Sequence, residues 1–292
     1  MQQNKFGDNS MSVSLMGFGA GHIGGGEMSE SEALEVLNTA FDNGINLFDT
    51  ARGYGLSEER IGKFLPGKRD KIILSTKVGY SIDGYTDWTY DIIRAGVEHA
   101  LRLMNTDYLD IVHLHSCPLD VLQRREVIDA LLEMKKEGKL RVAAYSGENE
   151  ELDFAINANC FGAIQTSVNV FDQRGIDTFC AAAKEKGMGI IAKRPMANFA
   201  WSYEAQPFGD YAEDYWLRMK DMELDFGERW GEVALRFAAY HGNADSIIIG
   251  TGNAGHLKNN IAMLEKGPLS PDEVALLKEI FKRHDNNWVG LI

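Results

Sequence analysis

Short apolar runs recur along the chain, each followed by a polar or Gly-rich turn and then by a segment with apolar residues three and four apart. The runs are SLMGFGA (14–20), INLFD (45–49), KIILSTK (71–77), YLDIVHLH (108–115), RVAAYS (141–146), AIQTSVN (163–169), GIIAK (189–193) and SIIIG (246–250). Runs this short, bounded by turn residues, are what strands buried on both faces look like. The segments between them carry the helical period. Leu34, Leu37 and Phe41 share a face behind Ser29 and Glu32, which have capping-box spacing. Ile93, Val97, Ala100 and Leu101 share another over 90–104. Further helices are predicted over 57–65, from the fourth strand to Gly138 as one long helix, over 149–158, up to Gly187, and over 228–240. One more carries Leu257, Ile261 and Leu264 to Gly267. An additional C-terminal helix starts at Ser270-Pro271, with Glu273 completing its cap. Strands alternating with helices predict a parallel α/β sheet, and the count of eight predicts a closed (β/α)8 TIM barrel forming one domain over residues 1–292. An open doubly wound sheet is disfavoured, because Gly24-Gly25-Gly26 does not fit a G-x-G-x-x-G turn and reads better as a flexible loop.

In a barrel, chemistry is carried by side chains at the C-terminal ends of several strands. Those ends hold Asp49, Lys77 and His115, with Tyr54 in the loop after the second strand. A phenol titrates near ~10 and is a poor acid at neutral pH, but an adjacent ammonium stabilises the phenolate. Lys77 is placed to supply that charge, with Asp49 to hold it and His115 to orient a carbonyl or relay a proton. The set suits general acid catalysis on a carbonyl oxygen while a hydride reaches the carbon. His113 and His115 share a strand face, and H-x-H at a barrel strand end also suits a metal-dependent hydrolase. That alternative lacks further ligands, since RVAAYS and AIQTSVN contain no His, Asp or Glu. No metal site is therefore expected.

The segments F-D-T-A-x-x-Y-G (48–55), S-T-K (75–77) and Y-L-D-I-V-H-L-H (108–115) resemble, in order and spacing, the aldo-keto reductase family over nearly the whole chain. The resemblance implies a (β/α)8 barrel that binds NADP(H) without a Rossmann domain and reduces aldehydes or ketones, with Tyr54 as proton donor beside Asp49, Lys77 and His115. It also implies cofactor contacts. Ser146 and Gln165 match residues that bind the nicotinamide carboxamide, whereas Gly147 stands where an Asn is usual, with Asn149 as a possible substitute. Lys193-Arg194-Pro195 falls where many members carry an aromatic ring, Ser and Pro, so a cationic side chain would have to cover the nicotinamide face. Gly250, Thr251 and Gly252 match a phosphate cradle. His256 stands near an Arg for the adenosine 2′-phosphate, and Asn260 at an adenine contact. Use of NAD(H) therefore stays open. Some members of the family bind the dinucleotide and act as regulatory subunits, which gives a non-catalytic alternative.

The long stretch 196–227 carries Trp201, Tyr203, Phe208, Tyr211, Tyr215 and Trp216 and has helical spacing over 211–222; it is a candidate cover for the cofactor or wall of the substrate mouth, with Trp288 a further candidate wall. Net charge is −13, which excludes a nucleic-acid partner and gives an anionic ligand no general attraction. No apolar run approaches the ~20 residues of a membrane span, and the start MQQNKFGDNSMSVS lacks a signal-peptide core. Three scattered cysteines point to a reducing compartment, so a cytoplasmic protein acting on a small carbonyl or alcohol substrate is expected.

Overall fold

The computed structural model describes residues 1–292 and closes the eight apolar runs into one parallel barrel. A hairpin of β1 (Gln3–Lys5) and β2 (Ser12–Ser14) precedes it. The barrel strands are β3 (Met16–Gly19), β4 (Leu47–Asp49), β5 (Ile73–Val78), β6 (Leu109–His115), β7 (Leu140–Ser146), β8 (Ala163–Ser167), β9 (Gly189–Lys193) and β10 (Ser246–Gly250). Each pairs with its chain neighbour, and β10 closes onto β3 from Ile247 opposite Met16 to Gly250 opposite Gly19.

The pleat explains where the chemistry goes. Leu47, Ile73, Ile111, Val142, Ala163 and Ile191 form the inner apolar layer, together with Phe6, Met11 and Val13 of the hairpin. Their neighbours Phe48, Leu74, Val112, Ala143, Ile164 and Ile190 point outward into the larger core shared with the helices. Because side chains alternate, the next inward positions toward the C-terminal ends are Asp49, Ser75 and Lys77, His113 and His115, Ser146, Gln165 and Lys193. The inner floor is apolar and the mouth polar on the same strands.

The hairpin is not legible in the sequence, since QNK and SVS are short and polar. It seals the bottom of the barrel: Phe6 is fully buried, and a Cβ on Gly189 would lie 2.5 Å from its ring. The predicted long helix after β6 is two, Leu119–Arg124 and Glu126–Lys136, broken where Arg125 takes a left-handed φ of 65°. Neither Gly nor Pro marks that break. The capping boxes at Ser29/Glu32 and Ser270/Glu273 form as expected, and the final helix spans Pro271–His284.

Candidate active site

Two glycine-rich segments hold Tyr54 in place. A Cβ on Gly24 would lie 1.9 Å from the Tyr54 carbonyl oxygen, and one on Gly55, whose φ is +54°, would lie 2.5 Å from the Gly24 oxygen. The two loops can touch only without side chains at these positions. Buried Arg60 donates to the carbonyls of Ile23, Gly25 and Met28, so the stretch expected to be a flexible loop is pinned. Ser57 adds a bond to the Ala20 carbonyl at 2.9 Å.

Lys77 Nζ lies 2.6 Å from Asp49 Oδ2, donates to the Thr50 carbonyl at 2.8 Å, and sits 5.0 Å from the centre of the Tyr54 ring. The Lys77 and Asp49 side chains are each only 2% exposed. Burial works against the charge on Lys77, Asp49 and Tyr54 work for it, and the balance raises its pKa. Asp49 is the hub of a wider network. Its Oδ1 accepts from Ser75 Oγ at 2.7 Å and from Gln165 Nε2 at 3.1 Å. The single Ser75 proton is used there, so the Ser75 oxygen accepts from His113 Nε2 at 3.1 Å. Ser146 Oγ donates to Gln165 Oε1 at 3.0 Å. Strands β4 to β8 are thus joined by one set of polar contacts. His113 belongs to this interior network, and no group of three or more His, Cys, Asp or Glu side chains converges on one point.

His115 lies with its ring 6.0 Å from that of Tyr54, nearly perpendicular to it. Burial, reinforced by the charges of Lys77 and Lys193, pushes its pKa down to about 2, so it is a neutral imidazole at working pH. Burial likewise pushes His113 down to about 4. The Tyr80 hydroxyl is 2.6 Å from His115 Nδ1. Tyr80 and Trp88, in the loop after β5, were not singled out from the sequence; their segment reads as a polar turn, and only its aromatic content signals a role.

A cavity of about 1470 Å³ opens at the C-terminal ends of the strands. It gathers Asp49, Tyr54, Lys77 and His115 with Ser146, Gln165, Lys193, Arg194 and Pro195, and with Gly250, Thr251, Gly252, His256 and Asn260. The four catalytic candidates and the ten cofactor positions from Ser146 to Asn260 therefore face one space. Where β10 ends, Gly250 has no room for a side chain: a Cβ would lie 2.7 Å from the His22 ring and 3.2 Å from the Gly19 carbonyl oxygen, while one on Gly252 would meet only the mobile tip of Met28. The bare backbone leads into the helix Ala254–Glu265, capped by Asn253 accepting from the His256 amide at 3.0 Å. A helix start of this kind suits phosphate oxygens, so the residues present fit a dinucleotide. Lys77, Lys193 and Arg194 are the only Lys or Arg residues lining the cavity, and none lies near His256 in the chain.

Two expectations change, and Lys193 gains a partner. Asn149 is not available to a ligand: it accepts from the Gly290 amide at 2.7 Å and donates to the Gly290 carbonyl at 3.1 Å. Trp288 packs on Phe281, 5.7 Å between ring centres, and Ile292 lines the cavity instead. Lys193 is paired with the buried Glu148 at 3.3 Å, and Glu148 also accepts from Thr166 Oγ1 and the Ser167 amide, each at 2.8 Å. From the stretch after β9, Asn198, Phe199 and Tyr211 line the cavity, while Trp201 stacks on Trp230.

The sequence model of the aldo/keto reductase family matches residues 15–282. The chain belongs to the aldo/keto reductase family. Its similarity to L-galactose dehydrogenase of Arabidopsis thaliana is 26% identity over 275 residues, covering 88% of this chain and 86% of that protein. It is 23% identical to the NADH-specific methylglyoxal reductase of Escherichia coli, covering 96% and 98%. Among solved structures, the holo form of aldo-keto reductase AKR11C1 from Bacillus halodurans superimposes with a TM-score of 0.83 at 27% identity, covering 96% of each chain. As an oxidoreductase of the aldo/keto reductase family, the protein carries its F-D-T-A-x-x-Y-G, S-T-K and H-L-H segments at the ends of β4, β5 and β6 and in the loop after β4, where they meet.

Proposed function

We propose that the protein reduces an aldehyde or ketone to the alcohol, or catalyses the reverse, with NADP(H) and to a lesser degree NAD(H), Tyr54 giving the proton. The observation that carries this is the buried Asp49–Lys77 pair, its ammonium 5.0 Å from the Tyr54 ring and beside the neutral His115. A bound reduced nicotinamide would supply hydride to the carbonyl carbon. The Tyr54 hydroxyl gives its proton to the carbonyl oxygen, and Lys77 stabilises the phenolate left behind. Asp49, fixed by Ser75 and Gln165, keeps Lys77 charged and in place. His115 orients the carbonyl oxygen without adding charge. Ser146 and Gln165 would hold the carboxamide, Lys193, Arg194 and Pro195 the nicotinamide face, and Gly250, Thr251 and Gly252 the phosphates, with His256 and Asn260 at the adenosine end. In this reading the protein works in the cytoplasm on small molecules. The test is oxidation of NADPH and NADH with a panel of aldehydes and ketones. Turnover supports the assignment; cofactor binding with no turnover across the panel would favour a regulatory dinucleotide-binding protein.

Cofactor choice gives a second test. A guanidinium grips a phosphate with two parallel donors, a fork that an imidazole does not offer. With His256 at the adenosine end, preference for NADPH over NADH should be weak. The relative described as NADH-specific fits a weak preference. Titration of both cofactors, repeated with His256→Gln, checks this. A strong preference for NADPH, or a ratio unchanged by the substitution, would assign the phosphate to another group.

A further inference from the structure

We propose that Tyr80 is a positioning residue: its hydroxyl donates to His115 Nδ1 and so sets the tautomer that presents Nε2–H to the cavity beside Tyr54. The two atoms are 2.6 Å apart, and the rings lie 5.2 Å apart at 22°, close to parallel. A neutral imidazole has one N–H, and the partner of one nitrogen decides which nitrogen carries it. The phenol hydroxyl is the stronger donor of the two and a bare imidazole nitrogen the stronger acceptor, so the proton in this contact belongs to Tyr80. His115 stays neutral because it is buried and faces the ammonium groups of Lys77 and Lys193, with neutral His113 behind it on the same strand.

The surrounding loop is built to hold Tyr80 there. Trp88 packs edge-on against Tyr80, with ring centres 5.8 Å apart. Its ring occupies the space over Gly79, where a Cβ would lie 2.2 Å from the indole. Gly79 has φ +142° and Trp88 φ 59°, and the Trp88 amide closes the loop on the Gly79 carbonyl at 2.9 Å. A left-handed tryptophan is strained and persists only where its surroundings fix it. Gly79, Trp88, Tyr80 and His115 thus form a stack that orients one imidazole edge toward the cavity. The use made of that N–H, a bond to the substrate oxygen, rests on the function proposed above; the tautomer itself does not.

The test is nitrogen NMR of the full-length chain labelled in its seven histidines, with and without added NADPH, His115 being assigned from the signal lost in His115→Gln. Protonated and bare ring nitrogens resonate in separate regions, so the tautomer is read directly. In the wild type Nε2 should carry the proton. In Tyr80→Phe the tautomer ratio should move toward Nδ1–H by roughly 3- to 10-fold, the change given by one hydrogen bond of ordinary strength. The signals of buried His113 should stay where they are, showing that the barrel is intact. In the carbonyl assay the same variant should lower kcat and leave the cofactor KM unchanged. An Nδ1–H tautomer in the wild type, or an unchanged ratio in Tyr80→Phe, overturns the proposal. If Tyr80→Phe unfolds, Tyr80→Leu, which fills part of the same space and carries no donor, must show the same shift. A correct tautomer in a protein that turns over no carbonyl would leave the proposal standing and remove the catalytic reading alone.

Discussion

Tyr54→Phe should lower kcat by about 10²–10⁴ while leaving the affinity for NADPH nearly unchanged. The substitution removes one oxygen. Asp49 keeps its bonds to Lys77, Ser75 and Gln165, because none of them involves Tyr54. The loop also stays closed, since the neighbouring strand of chain meets the Tyr54 backbone and not its hydroxyl. A fall confined to kcat identifies an interaction made in the transition state rather than in binding. Retention of most of the activity would take Tyr54 out of the proton transfer.

Lys77→Met should abolish measurable turnover and also destabilise the fold, by about 3 kcal/mol. Removing one member of a buried ion pair commonly costs ~3–5 kcal/mol, because the other charge is left without its partner. The low end applies here, since Ser75 and Gln165 still donate to Asp49. The two effects separate in a second variant. Adding Asp49→Asn to Lys77→Met removes the stranded carboxylate and should recover much of the stability in a denaturant titration, with no recovery of turnover. Wild-type kinetics in Lys77→Met would make the pair structural only.

The strands were legible because parallel barrel strands are buried on both faces and read as short apolar runs; the structure moves their ends by a few residues and adds none to the barrel. The cavity residues were legible for a related reason. On β4, β5 and β6 the inward positions turn from apolar to polar at Asp49, at Ser75 and Lys77, and at His113 and His115, and a polar residue there faces the interior of a closed barrel. What stayed hidden depends on contacts between distant segments. Glu148 looks like a polar residue ahead of a helix, yet it is buried against Lys193 through a loop the sequence does not order. Tyr80 acquires its partner only when β6 is laid beside β5. The β1–β2 hairpin has no apolar pattern of its own and is fixed by Phe6 entering the barrel floor. The break at Arg125 has no local signature at all.

The hub at Asp49 has a consequence for the order of folding. Its partners come from three other strands, directly or through Ser75, and the bond from Gln165 spans 116 residues of chain. Contacts of such sequence separation are made late, after the loop-closure entropy of the intervening chain has been overcome. The helices, by contrast, draw on local bonds and their own capping boxes. A refolding chain should therefore regain its helical signal well before the Lys77 ammonium has a carboxylate to sit on. Competence for chemistry arrives with closure of the ring, and a polypeptide halted before β8 pairs would have nearly all of its catalytic motifs in sequence and no working site in space.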